Sequence, residues 1–141
     1  MASKIRTAEF KNRLAVLCLR GGGRGFPRKH RDQLILFKSI TLMLEPKRTY
    51  SEPEVNECLA KWLSQVGRSL EIDPVSLRRS LVDAGYLIRD PAGKRYQVEG
   101  KQTIGLFEAE IEEITPVVVV EEAYRETEER KRAYLEKGSR D

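Results

Sequence analysis

The chain has 141 residues, 40% of them hydrophobic and 34% charged, enough for one modest core beneath a heavily solvated surface. Its longest mostly apolar run, Leu34 to Leu44, is broken by Lys38, Ser39 and Thr41 and falls short of the roughly 20 residues of a membrane span. Two well-separated cysteines, Cys18 and Cys58, and a start without the apolar stretch of a secretory signal predict reduced thiols in the cytoplasm and exclude a disulfide scaffold, a membrane protein or a large multidomain enzyme.

The net charge of +4 is unevenly spread. Residues 1–49 carry 12 Lys or Arg against 3 acids, a net +9, whereas residues 50–100 carry −1 and residues 101–141 carry −4. A basic head and an acidic tail predict either an anionic partner for the head or mutual neutralisation within the fold.

In chain order, Thr7 reads as the cap of a first helix that buries Phe10, Leu14 and Leu17. The glycines of Gly21-Gly22-Gly23-Arg24-Gly25 end it. A basic lead-in, Phe26 to Arg31, opens a second helix of about Arg31 to Leu44, apolar on more than one stripe and so covered from several sides. A second subunit, a homodimer partner, could cover it as well as the chain's own ends. After the turn at Glu45-Pro46-Lys47-Arg48, Ser51 and Glu54 form a capping box with Pro53 in the first turn. Val55, Leu59, Trp62 and Val66 give the helix that follows a buried stripe, and Gly67 is suited to end it in a left-handed conformation.

Asp73-Pro74 starts the next helix, with Val75, Leu77, Leu81 and Val82 inward, Arg78 and Arg79 outward, and Gly85 as its end. Residues 86–98, turning at Asp90-Pro91-Ala92-Gly93, read as a β-hairpin. Residues 104–114 fit a helix or an alternating strand, and their glutamates favour the helix. Thr115-Pro116 breaks it, the β-branched run Val117 to Val120 predicts a short strand, and Glu121 to Lys137 reads as a charged helix.

Three helices and a hairpin in this order predict an α+β, mainly helical fold, a winged helix-turn-helix over 26–100. An N-terminal helix and linker, 1–25, would precede it, and an acidic strand-and-helix extension, 101–141, would follow.

Several local runs also resemble a known family. Phe26-Pro-Arg-Lys, Tyr50-Ser-Glu-Pro-Glu-Val-Asn-Glu, Asp73, Leu77-Arg-Arg-Ser-Leu-Val-Asp-Ala-Gly-Tyr-Leu-Ile-Arg, Gly93 and Tyr96 are similar to the bacterial domain of unknown function 2087 over about residues 26–98. The resemblance implies a winged-helix-like fold and a link to transcription regulators, and it brings no catalytic residue. One departure from the family's pattern is a longer connection at about Arg68 to Ile72.

The chemistry-bearing residues give little to an enzyme. His30 is the sole histidine, no Cys-x-x-Cys occurs, and the glycines at 21–25 match neither a phosphate loop nor a dinucleotide fingerprint. No catalytic residue, metal or cofactor is therefore expected. The case for DNA is better. Arg24, Arg28, Lys29 and Arg31 lie in a stretch without an acid, Arg78 and Arg79 would face the major groove, and Lys94 and Arg95 would sit on the wing. Two features weigh against it: Arg79 is spaced to pair with Asp83, and Asp73 to Ala84 is net neutral.

The primary expectation is a non-enzymatic, cytoplasmic transcription regulator that contacts DNA. The alternative is a protein that docks on RNA polymerase or a sigma factor, as phage-encoded regulators of host polymerase do; Val117–Val120 is expected to pair within its own domain in preference to extending a partner's sheet.

Overall fold

A computed structural model describes residues 4–20 and 26–138. The fold is α+β and mainly helical. Helix α1 spans Thr7–Arg20, α2 His30–Thr41, α3 Glu52–Gln65, α4 Pro74–Asp83 and α5 Pro116–Gly138. Strands β1 (Tyr50–Ser51), β2 (Leu87–Arg89) and β3 (Arg95–Val98) form one antiparallel sheet in the order β1-β3-β2. In its register Tyr50 and Arg89 flank Tyr96 on either side, and Ser51 lies opposite Arg95. The two-residue β1 is too short to show an alternating pattern in the sequence.

Local capping chemistry sets the two helices nearest the hairpin. Ser51 Oγ accepts the amide of Glu54 at 3.3 Å, and Glu54 Oε1 accepts the amide of Ser51 at 2.9 Å. Asp73 accepts from the Ser76 amide and hydroxyl, both at 2.8 Å. The reciprocal Ser51–Glu54 pair and the Asp73 cap satisfy amides that have no partner inside the helix.

One core runs from Ile5 to Val120. Trp62 is fully buried in it, and its indole N–H donates to Ser39 Oγ at 3.0 Å. Ser39 in turn donates to the carbonyl of Leu36, so the polar break in α2's apolar run meets the one polar atom of the tryptophan. Phe37 packs between Phe26 and Tyr86 at tilted angles, with ring centroids at 4.9 and 5.1 Å. The chain's own elements thus cover several sides of α2, which ends at Thr41, three residues earlier than its apolar run suggests.

Several expectations are corrected. Thr7 does not cap α1, because its Oγ1 is buried without a hydrogen-bond partner while its amide donates to Glu108 Oε1 at 2.6 Å. That carboxylate is held below its ordinary value chiefly by the Thr7 amide. Val117–Val120 is not a strand but the first turns of α5. Pro116 occupies a position where proline's missing N–H costs nothing, and the amides of Val118 and Val119 donate to the Thr115 carbonyl. Val120 is buried, and that packing overrides the valines' β preference.

Residues 104–114 form no α-helix. Gly105 turns the chain with φ 80°, Ile5 pairs in parallel with Phe107, and Ala109–Glu113 is a 3₁₀ turn. Val75 is exposed rather than inward. Gly67 is not left-handed, unlike Gly85 and Gly93, which have φ 84° and 71°.

The link from α3 to α4 packs onto the end of α1. The Ser69 amide donates to the Cys18 carbonyl at 3.3 Å and its hydroxyl to the Leu17 carbonyl at 3.1 Å, satisfying carbonyls that α1 leaves open. Burial among these elements pushes the Cys18 thiol up to about 12. Among the described residues, no helix is long and apolar enough to cross a membrane.

Candidate nucleic-acid interface

The β2–β3 hairpin turns at Asp90–Lys94, closed by backbone bonds from the Asp90 amide to the Arg95 carbonyl and from the Gly93 amide to the Asp90 carbonyl and by two bonds to the Asp90 side chain. Asp90 Oδ1 accepts the amide of Lys94 at 2.7 Å and that of Arg95 at 3.1 Å. These amides, that of Arg95 foremost, hold the Asp90 carboxyl below its ordinary range, so it stays ionised as a backbone clasp. The Lys94 and Arg95 side chains are exposed. Arg89 joins them: it is exposed, and its Cδ lies 3.8 Å from where a side chain on Gly93 would begin. Three cations therefore share the hairpin tip with one acid. Arg89 was missed in the sequence, although its place directly before the turn was a usable signal.

The two arginines of α4 divide. Arg79 is exposed, and the pair with Asp83 that their spacing suggests is not among the ion pairs of the described residues. Arg78 turns inward instead, with its side chain 11% exposed. It donates to Asn56 Oδ1 at 2.6 Å, pairs with Glu52 Oε1 at 3.2 Å, and places its guanidinium 5.4 Å from the centre of the buried Tyr96 ring. It ties α4 to α3 and the sheet, which removes it from the outward face that helical spacing predicts.

The basic head divides in the same way. Arg31 donates from Nη2 to Glu9 Oε1 at 2.6 Å, and that hydrogen bond is the main reason Glu9 titrates low. Arg13 makes a two-pronged pair with Asp32 at 3.1 and 2.9 Å. Lys38, nearly buried, pairs with Glu112 from the acidic tail and lies 5.5 Å from the Phe107 ring centre. Two of the head's arginines are thus taken up by acids of the head itself, and one lysine reaches the acidic tail. Arg28 and Lys29 remain exposed ahead of α2, and Arg24 lies outside the described residues. No group of three or more His, Cys, Asp or Glu among the described residues is placed to hold a metal ion.

A family profile, described as an uncharacterized protein conserved in bacteria, matches residues 24–98, from the lead-in of α2 to the end of β3. No curated protein and no solved structure matches the chain. The matched span holds α2, α3, α4, the whole sheet, and every exposed cation named above. Over that half of its length, this chain belongs to the bacterial family of domain of unknown function 2087.

Proposed function

We propose that this protein is a winged helix-turn-helix factor that acts in transcription by binding duplex DNA, as a cytoplasmic protein and without catalytic chemistry. The order α2, β1, α3, α4, β2, β3 supports the fold half of the reading, since it sets a helix pair against a hairpin whose outer edge is completed by a short strand. The observation that carries the functional half is the hairpin tip. Arg89, Lys94 and Arg95 are exposed there, while the nearby carboxylate of Asp90 is engaged by backbone amides. Arg79 extends this charge onto α4. In this arrangement α4 lies toward the major groove and the hairpin cations meet phosphates. Arg78 is a strut that holds α4 in place rather than a reader of bases.

The test is fluorescence anisotropy with the double variant Lys94→Ala/Arg95→Ala. Loss of two phosphate contacts should lower the slope of log K against log salt by about 2 relative to wild type. An unchanged slope in a variant with unchanged circular dichroism contradicts the reading. One observation favours docking on RNA polymerase or a sigma factor instead: with Arg78 withdrawn, α4 presents Val75 and a single arginine to solvent. That reading predicts retention on immobilised polymerase or sigma factor by the same double variant, with no binding of wild type to DNA.

A further inference from the structure

The first turns of α5 are anchored. Val117 and Val119 are half-buried and Val120 is buried, while Ala123, Tyr124 and Thr127 line an open groove with Ala15, Val16 and Leu19 of α1. From Glu129 to Gly138 every residue is exposed. At 1.5 Å per residue this exposed stretch is roughly 15 Å long. The apolar stripe does not stop where the cover stops. It continues through Tyr124, Tyr134 and Leu135, which are 50%, 78% and 68% exposed. Two large apolar side chains side by side on an unpacked helix are uncovered surface of the kind that association buries.

The charges along the same helix say what covers it. Residues 121–129 hold five glutamates and one arginine, a net −4, and residues 130–138 hold two arginines, two lysines and one glutamate, a net +3. Such a gradient suits the helix dipole, but the dipole requires no apolar stripe between the charges. Stripe and gradient together describe a surface complementary to itself when it is turned end for end. In a parallel pair acid would meet acid, and in an antiparallel pair each acidic half meets a basic half.

We propose that α5 is a homodimerisation helix, with a second copy of this chain packed antiparallel against residues 121–138. Tyr124 of one copy then lies against Leu135 of the other, and Glu128 lies against Lys131. Within one chain these last two approach only to 3.7 Å, at exposed positions where such a pair contributes little. The contact surface is small and its charges are near solvent, so the dimer is salt-sensitive. This inference is independent of DNA binding, since α5 lies outside the family-matched residues.

The experiment is sedimentation equilibrium of the full chain in low and high salt. Wild type should approach twice the 16.2 kDa chain mass in low salt and move toward the monomer in high salt. Tyr134→Ser/Leu135→Ser should be monomeric in both, with unchanged circular dichroism and unfolding midpoint. Orientation is read by oxidising a mixture of Tyr124→Cys and Leu135→Cys chains, which should cross-link to each other in preference to themselves. A wild type that stays monomeric in low salt, a dimer that survives the double serine variant, or cross-linking of like with like overturns the proposal.

Discussion

A methyl group added at Gly67 would sit 2.5 Å from Trp62 Cζ3 and 2.8 Å from Cη2. The indole cannot retreat, because its N–H is bound to Ser39 and its ring is fully buried. Gly67→Ala should therefore destabilise the fold by about 1–3 kcal/mol, the usual cost of overpacking a core. A urea midpoint that matches wild type would contradict this. The sequence marks Gly67 correctly as the end of α3, but the reason was not legible there. A glycine after a periodic stripe suggests a left-handed turn, whereas this one is required by the position of a ring five residues earlier. Ser39 and Arg78 follow the same logic. Ser39 reads as a flaw in an apolar run until Trp62 is placed beside it. Arg78 reads as outward from its spacing until Glu52, Asn56 and Tyr96 come within reach.

Among the elements, those set by neighbours in the chain were legible, and those set across the fold were not. Ser51 with Glu54 and Asp73 with Ser76 are bonds between residues three apart, so sequence order alone exposes them. The start of α1 depends on Glu108, 101 residues away, and no local pattern could show it. This cap carries a pH dependence. The Thr7 amide, and more weakly Arg6 and Lys4, depress the Glu108 pKa below its ordinary 4.5 in the fold. Its contribution is therefore complete above the unfolded value and is lost as pH falls through the folded one. Glu108→Gln should narrow the stability gap to wild type as pH drops from about 6 to about 3, since protonation removes in wild type what the mutation removes at every pH. Unfolding curves at the two ends of that range check it, and a gap that stays constant would contradict the cap. In α5 the four valines have a strand's preference but a helix's surroundings. Thr115-Pro116, read as a break, is the helix's beginning.

At the scale of the whole molecule, the segments that flank the family-matched unit meet each other and contact it. Ile5 pairs with Phe107, α1 and α5 run side by side, and Lys38 reaches the acidic tail. The charge gradient was plain in the sequence, but its disposition was not. Part of the basic head is spent on Glu9, Asp32 and Glu112, while a separate set of exposed cations, Arg89, Lys94 and Arg95, stands at the hairpin, and Arg79, Arg28 and Lys29 are exposed elsewhere in the same matched unit. The central claim is that this remaining charge meets the phosphates of duplex DNA. The most direct measurement is the anisotropy of a labelled random-sequence duplex titrated with wild-type protein at about 50 and about 200 mM salt. The account predicts binding at the lower salt that weakens by at least tenfold at the higher, as expected when three or more phosphates release their counterions. No binding at the lower salt, or binding indifferent to salt, would contradict it.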